Sequence, residues 1–107
     1  MKMTTIKTWL LTGMGCASVG IAQAQDARSL QQQSLAATCA SCHGTAGRAV
    51  DNAAVPGLAG MPAIYMIEQM RAFKSGARTV TVMNQIAKGY SDAQIESLAA
   101  YYSAQKK

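Results

Sequence analysis

No second histidine, no block of like charge and no apolar run long enough to span a bilayer occurs in this chain of 107 residues. With His43 as its one imidazole it holds no Ser/His/Asp set, and neither paired carboxylates nor a phosphate-cradling glycine loop offers another active site. The ten basic and five acidic residues are scattered, without runs or interleaved aromatics, which excludes a nucleic-acid interface. Cysteine is scarce too. Of the three, Cys39 and Cys42 stand three apart and Cys16 lies near the start, so no disulfide framework can be built. The most apolar stretch, Trp9 to Ile21, is thirteen residues diluted by Thr12, Gly13, Gly15 and Gly20. A membrane span needs roughly 20 apolar residues, so stable insertion is not expected.

That stretch has a different meaning at the start of a chain. Lys2 and Lys7 form a positive region ahead of it, and Ala22-Gln23-Ala24 places small residues at the −3 and −1 positions of a cleavage site. Residues 1–24 therefore read as a secretory signal peptide cut before Gln25, and residues 25–107 as one domain exported to the periplasm. A lipid anchor on Cys16 is the weaker reading, because Gly13-Met14-Gly15 lacks the usual leucine and the apolar run continues past it. Cleavage removes two of the ten basic residues and none of the five acidic ones, which lowers the net charge from +5 to +3.

Within residues 25–107 the apolar side chains recur at helical spacing, which predicts an all-α domain. The first helix is expected from about Asp26 to Thr38, with Asp26 at its positive end. From Gly44 to Gly60 the composition turns to Gly, Ala, Asn and Pro and predicts a long loop that needs something to wrap around. A helix opening at Pro62 should place Met66, Met70 and Phe73 on one face and stop at Gly76. A short helix over Met83 to Lys88 should close at Gly89. Ser91 with Gln94 has the form of a capping box, and Ile95, Leu98, Ala99 and Tyr102 make a stripe that should face the first helix.

The chemistry concentrates in Cys39-Ala40-Ser41-Cys42-His43, which has the C-x-x-C-H spacing of covalent haem attachment. On helical backbone, thiols three apart project from one side, so each can add across one vinyl group of a single porphyrin while the adjacent histidine reaches the iron. A thioredoxin-like pair would need a βαβ context, and a structural zinc site would need four ligands. Neither is present. A domain of 83 residues also buries little apolar surface by itself, and a haem would supply both core and cross-link. Its two propionates would bring the net charge near +1, removing most of the apparent basicity.

For the second axial ligand, Met61, Met66, Met70 and Met83 are the candidates. The helical spacing of Met66 and Met70 suits core packing. Met83, some forty residues beyond the motif and between two helical segments, is the preferred ligand. With both axial positions filled, peroxidase, oxygen-binding and gas-sensor roles are not expected.

Cys39-x-x-Cys42-His43-Gly44, Pro56-x-Leu58-Ala59-Gly60, Tyr65, Gln69, Phe73-x-x-Gly76-x-Arg78, Met83 and Ala100-Tyr101-Tyr102 together resemble class I bacterial cytochromes c, and look like one half of the two-haem carriers of that class. More narrowly, the stretch from Val82 to Asp92 looks like the single-haem cytochrome subunit of flavocytochrome c sulfide dehydrogenase. The resemblance implies a small fold wrapped around one haem c, with His43 and Met83 as axial pair. It also implies that the carbonyl of Pro56 bonds the other nitrogen of His43, and that Leu58 and Phe73 pack on the porphyrin. Arg78 either approaches a propionate or is an ordinary exposed arginine. Met61 departs from the family's frequent glutamine. The partner implied is a sulfide-oxidising flavoprotein whose FAD passes electrons to the haem, with a soluble cytochrome or a membrane electron chain downstream. The chain would then be a non-catalytic subunit. A freely diffusing monohaem carrier is the alternative.

Overall fold

The computed structural model describes residues 17–79 and 82–107, and every regular element among them is helical. Residues 1–16 of the expected leader lie outside the described residues. Helix α1 spans Ala17–Ala37. It begins nine residues before the expected Asp26, so Asp26 sits inside the helix rather than at its positive end. The reason is local: from Ile21 onward the chain is rich in Ala, Gln and Leu, with no glycine or proline before Thr38, so nothing breaks the helix at the expected cleavage site.

The chain leaves α1 through a tight turn in which Cys39 N–H donates to Ala36 O at 3.0 Å. Helix α2, Ala40–His43, follows at once and is closed by Gly44 at φ +86°. Only glycine fits there, because a Cβ on residue 44 would sit 2.0 Å from the Arg48 carbonyl oxygen. A 3-10 turn at Thr45–Gly47 opens the loop predicted over 44–60. The loop closes on itself at Gly47, whose carbonyl accepts from Leu58 N–H at 2.8 Å and Ala59 N–H at 3.1 Å. A Cβ on residue 47 would meet both Ala59 N and the Tyr102 ring at 2.8 Å.

Helix α3 spans Ala63–Ser75. Pro62 caps its N-terminus instead of occupying the first turn, and Gly76 in the left-handed conformation ends it, as its position in the sequence predicts. Helix α4 is Met83–Lys88 and helix α5 is Asp92–Ser103. The expected capping box forms at α5: Gln94 N–H donates to Ser91 Oγ at 3.2 Å, and Ser91 N–H donates to Gln94 Oε1 at 2.8 Å.

Helix α5 packs against α1 and α3, and α4 packs against α3. The predicted stripe is the centre of this arrangement, with Ile95, Leu98, Ala99 and Tyr102 all buried. Tyr102 O–H donates to Ala36 O of α1 at 2.6 Å, and burial pushes its hydroxyl well above the usual phenol range. Among the described residues, half of the eight buried apolar ones are alanine.

Candidate functional site

The turn that joins α1 to α2 sets the site. Cys39 is half-buried against the core cluster, Cys42 is exposed, and both thiols are free. His43 ends α2 and is half-buried. Its Nδ1 lies 2.7 Å from the carbonyl oxygen of Pro56. A carbonyl can only accept, so Nδ1 carries a ring proton, and in the neutral imidazole the lone pair is the one on Nε2. That contact fixes the tautomer a metal-binding imidazole requires and fixes the plane of the ring. It depends on the loop closure at Gly47, which brings Pro56 back over α2.

Leu58 lies half-buried against the same core cluster as Cys39, together with Met61. Phe73, in the last turn of α3, is half-buried, and the Arg78 guanidinium lies 4.7 Å from its ring centroid. Arg78 also donates to Gln69 Oε1. Arg78 is thus an exposed residue held in the aromatic and amide company of α3.

Met83 opens α4 and is half-buried. The residue after it is clamped: Asn84 Nδ2 donates to Phe73 O at 3.0 Å and to Arg78 O at 2.8 Å, which ties the start of α4 to the end of α3. Met66 is buried in the core cluster, as its spacing with Met70 predicts. The structure therefore brings His43 to Pro56, Cys39 and Leu58 to one cluster, and Phe73 to Arg78, while Met83 stands on the α3–α4 side.

Sequence reasoning assigned no role to Asn84, Lys74 or Tyr90. Their bonds span 11, 16 and 52 residues, and no local pattern announces such pairs.

The donor set suits a covalently held haem: two free thiols three residues apart, an imidazole whose Nδ1 proton is committed to a backbone carbonyl, and half-buried Leu58 and Met61 in the same cluster as Cys39. Among the described residues there is no cluster of three or more His, Cys, Asp or Glu side chains able to hold a metal ion directly.

A family model described as Cytochrome c matches residues 31–105. The chain is 33% identical over 96 residues to the cytochrome subunit of sulfide dehydrogenase of Chlorobaculum tepidum, an alignment covering 87% of this chain and 86% of that one. It is 46% identical over 71 residues to the thiosulfate dehydrogenase electron acceptor of Thiomonas intermedia, covering 66% of this chain but spanning only 33% of that relative. The solved structure of cytochrome c4 from Acidithiobacillus ferrooxidans superposes with a TM-score of 0.58 at 42% identity, covering 62% of this chain and 37% of that one. This chain belongs to the cytochrome c family, in its class I branch, and its cofactor is a covalently bound haem c. No described helix is long and apolar enough to cross a membrane.

Proposed function

We propose that the thiols of Cys39 and Cys42 hold one haem c through thioether bonds, with His43 and Met83 as its axial ligands, and that the chain accepts electrons from the flavin of a sulfide-oxidising partner in the periplasm. In this reading residues 1–24 are removed on export. The observation that carries the haem assignment is the 2.7 Å contact from His43 Nδ1 to the Pro56 carbonyl, which leaves Nε2 available beside two free thiols. When bound, the haem supplies a one-electron couple between ferric and ferrous iron, and a thioether ligand raises its potential.

The chain's own residues do the rest. Pro56 holds the imidazole in one orientation, so that little rearrangement accompanies a change of charge at the ligand. Leu58 and Phe73 offer apolar surface to the porphyrin faces, which lowers the local dielectric and keeps water away. Arg78 lies against the Phe73 ring with its charge exposed, and under the family resemblance it would pair with a haem propionate.

The partner assignment is supported by the Chlorobaculum relative, which aligns with this chain over nearly its whole length. The low share of charged residues, 14%, also suits a stable apolar docking face better than transient encounters steered by charge. Purification of the native protein tests this. Recovery in a flavin-bearing complex, with haem reduction on adding sulfide, is the expected result. Recovery solely as a flavin-free monomer contradicts the subunit reading and favours the second one, a freely diffusing carrier. That second reading draws on the Thiomonas relative, which is named as an electron acceptor. Rapid carbon monoxide binding to the reduced native protein would contradict the methionine ligand.

A further inference from the structure

Two segments must be held in register for an axial pair such as His43 and Met83 to work: the end of α1 with α2, and α4. A side-chain hydrogen bond joins the end of α1 to the turn that follows α4. Thr38 Oγ1 lies 2.7 Å from Tyr90 Oη, across 52 residues of sequence. The Thr38 hydroxyl also lies 2.8 Å from Leu35 O, a carbonyl that can only accept, so its single proton goes there. Thr38 therefore receives, and Tyr90 O–H donates.

Both ends of the bond are anchored. Thr38 directly precedes Cys39, and the same Thr38 oxygen lies 3.8 Å from the Cys39 sulfur. Tyr90 follows the end of α4, where its N–H donates to Ala87 O at 3.2 Å and its carbonyl accepts from Lys74 Nζ at 2.8 Å. Lys74 is in turn held by Asp92 Oδ1 at 2.9 Å, and Ala87 is fully buried. Helix α4 is a single short helix, so fixing its C-terminal end on α1 limits how far Met83 at its other end can swing.

We infer that Tyr90 is a positioning residue for the axial methionine: its hydroxyl ties the C-terminal end of α4 to Thr38 and so keeps the Met83 thioether in place opposite His43. The inference rests on the proposed axial pair. It is independent of which partner delivers the electron.

The test uses the oxidised holoprotein and imidazole as the competing ligand, since imidazole binds ferric iron only by displacing the thioether. Tyr90→Phe keeps the ring and removes the donor. It is expected to leave haem attachment and the sulfur-to-iron absorption band intact while raising imidazole affinity about three- to tenfold, the range set by one lost hydrogen bond. Thr38→Val should raise it similarly, and the double variant should exceed neither single variant by more than about twofold. Thr38→Ser, which keeps the acceptor, should restore the native affinity.

A purely structural role would lower the thermal midpoint of Tyr90→Phe without changing imidazole affinity, and that result overturns the inference. Additive effects in the double variant overturn it as well. Met83→Ala separates the two levels. If that variant keeps the sulfur-to-iron band, the ligand assignment itself falls. If it loses the band while Tyr90→Phe matches the native affinity, only the tie is wrong.

Discussion

His43 and Pro56 are thirteen residues apart in the chain and 2.7 Å apart in space, and the glycine at position 44 makes the short return between them possible. A side chain there meets the Arg48 carbonyl at 2.0 Å and is strained by φ +86°. Gly44→Ala should therefore destabilise the holoprotein by more than about 2 kcal/mol, read as a drop in Tm; an unchanged Tm would contradict the role given to this turn. Tyr102→Phe removes one of the two donors to the Ala36 carbonyl, Cys39 N–H remaining as the other, and should cost about 1 kcal/mol in denaturant unfolding. At this scale the haem motif was legible because attachment puts three chemically rare residues in five positions. Pro56 was reachable only through the family resemblance, since a backbone carbonyl leaves no trace in residue type. The Thr38 to Tyr90 bond was illegible because both partners are ordinary polar residues whose meeting is decided by the packing of α1, α3 and α4.

The elements were read more completely. Helices α3, α4 and α5 fall where Pro62, Gly76, Gly89 and Ser91 place their ends, because each of these residues acts on its own backbone. Ser91→Ala removes the hydroxyl half of the reciprocal cap, the bond from the residue 91 N–H to Gln94 Oε1 remaining, and should cost about 1 kcal/mol, measured by thermal unfolding. The start of α1 was misread for the converse reason: Asp26 is a favourable beginning, but Ala22 to Gln25 contains nothing that stops a helix already under way. The neighbouring ion pair sets a pH response. A hydrogen bond from Lys74, with its charge, holds the Asp92 carboxyl below its ordinary value of 3.8. Since the folded value is the lower one, the contribution is complete above the unfolded carboxylate's range and is lost as pH falls through the folded value. Both side chains reach solvent, so the effect is small and weakens with salt. Lys74→Gln should shift the Asp92 titration upward in an NMR pH series; an unmoved titration would mean the pair forms no persistent bond.

Across the whole molecule, the described helices surround little apolar bulk of their own. Four alanines stand among the eight buried apolar residues, and the large ones are Met66, Ile95, Leu98 and Tyr102. Each large side chain contributes about 1.5–3 kcal/mol on burial, a modest sum against the chain entropy of a domain this size. The porphyrin thus belongs to the core, and the polypeptide without it should show no cooperative thermal transition by circular dichroism. That expectation came from length and cysteine count alone, because a short domain without a disulfide framework needs another staple. What the chain docks against was not written in its residues, since an apolar docking face and a haem-covering face use the same side chains.

The central claim is that one porphyrin is bonded to Cys39 and Cys42, and intact-mass spectrometry of the exported protein tests it most directly. The account predicts a single species with the mass of residues 25–107 plus one haem, and no thiol left to alkylate. A product at the mass of the bare polypeptide, with both thiols reactive, would contradict it.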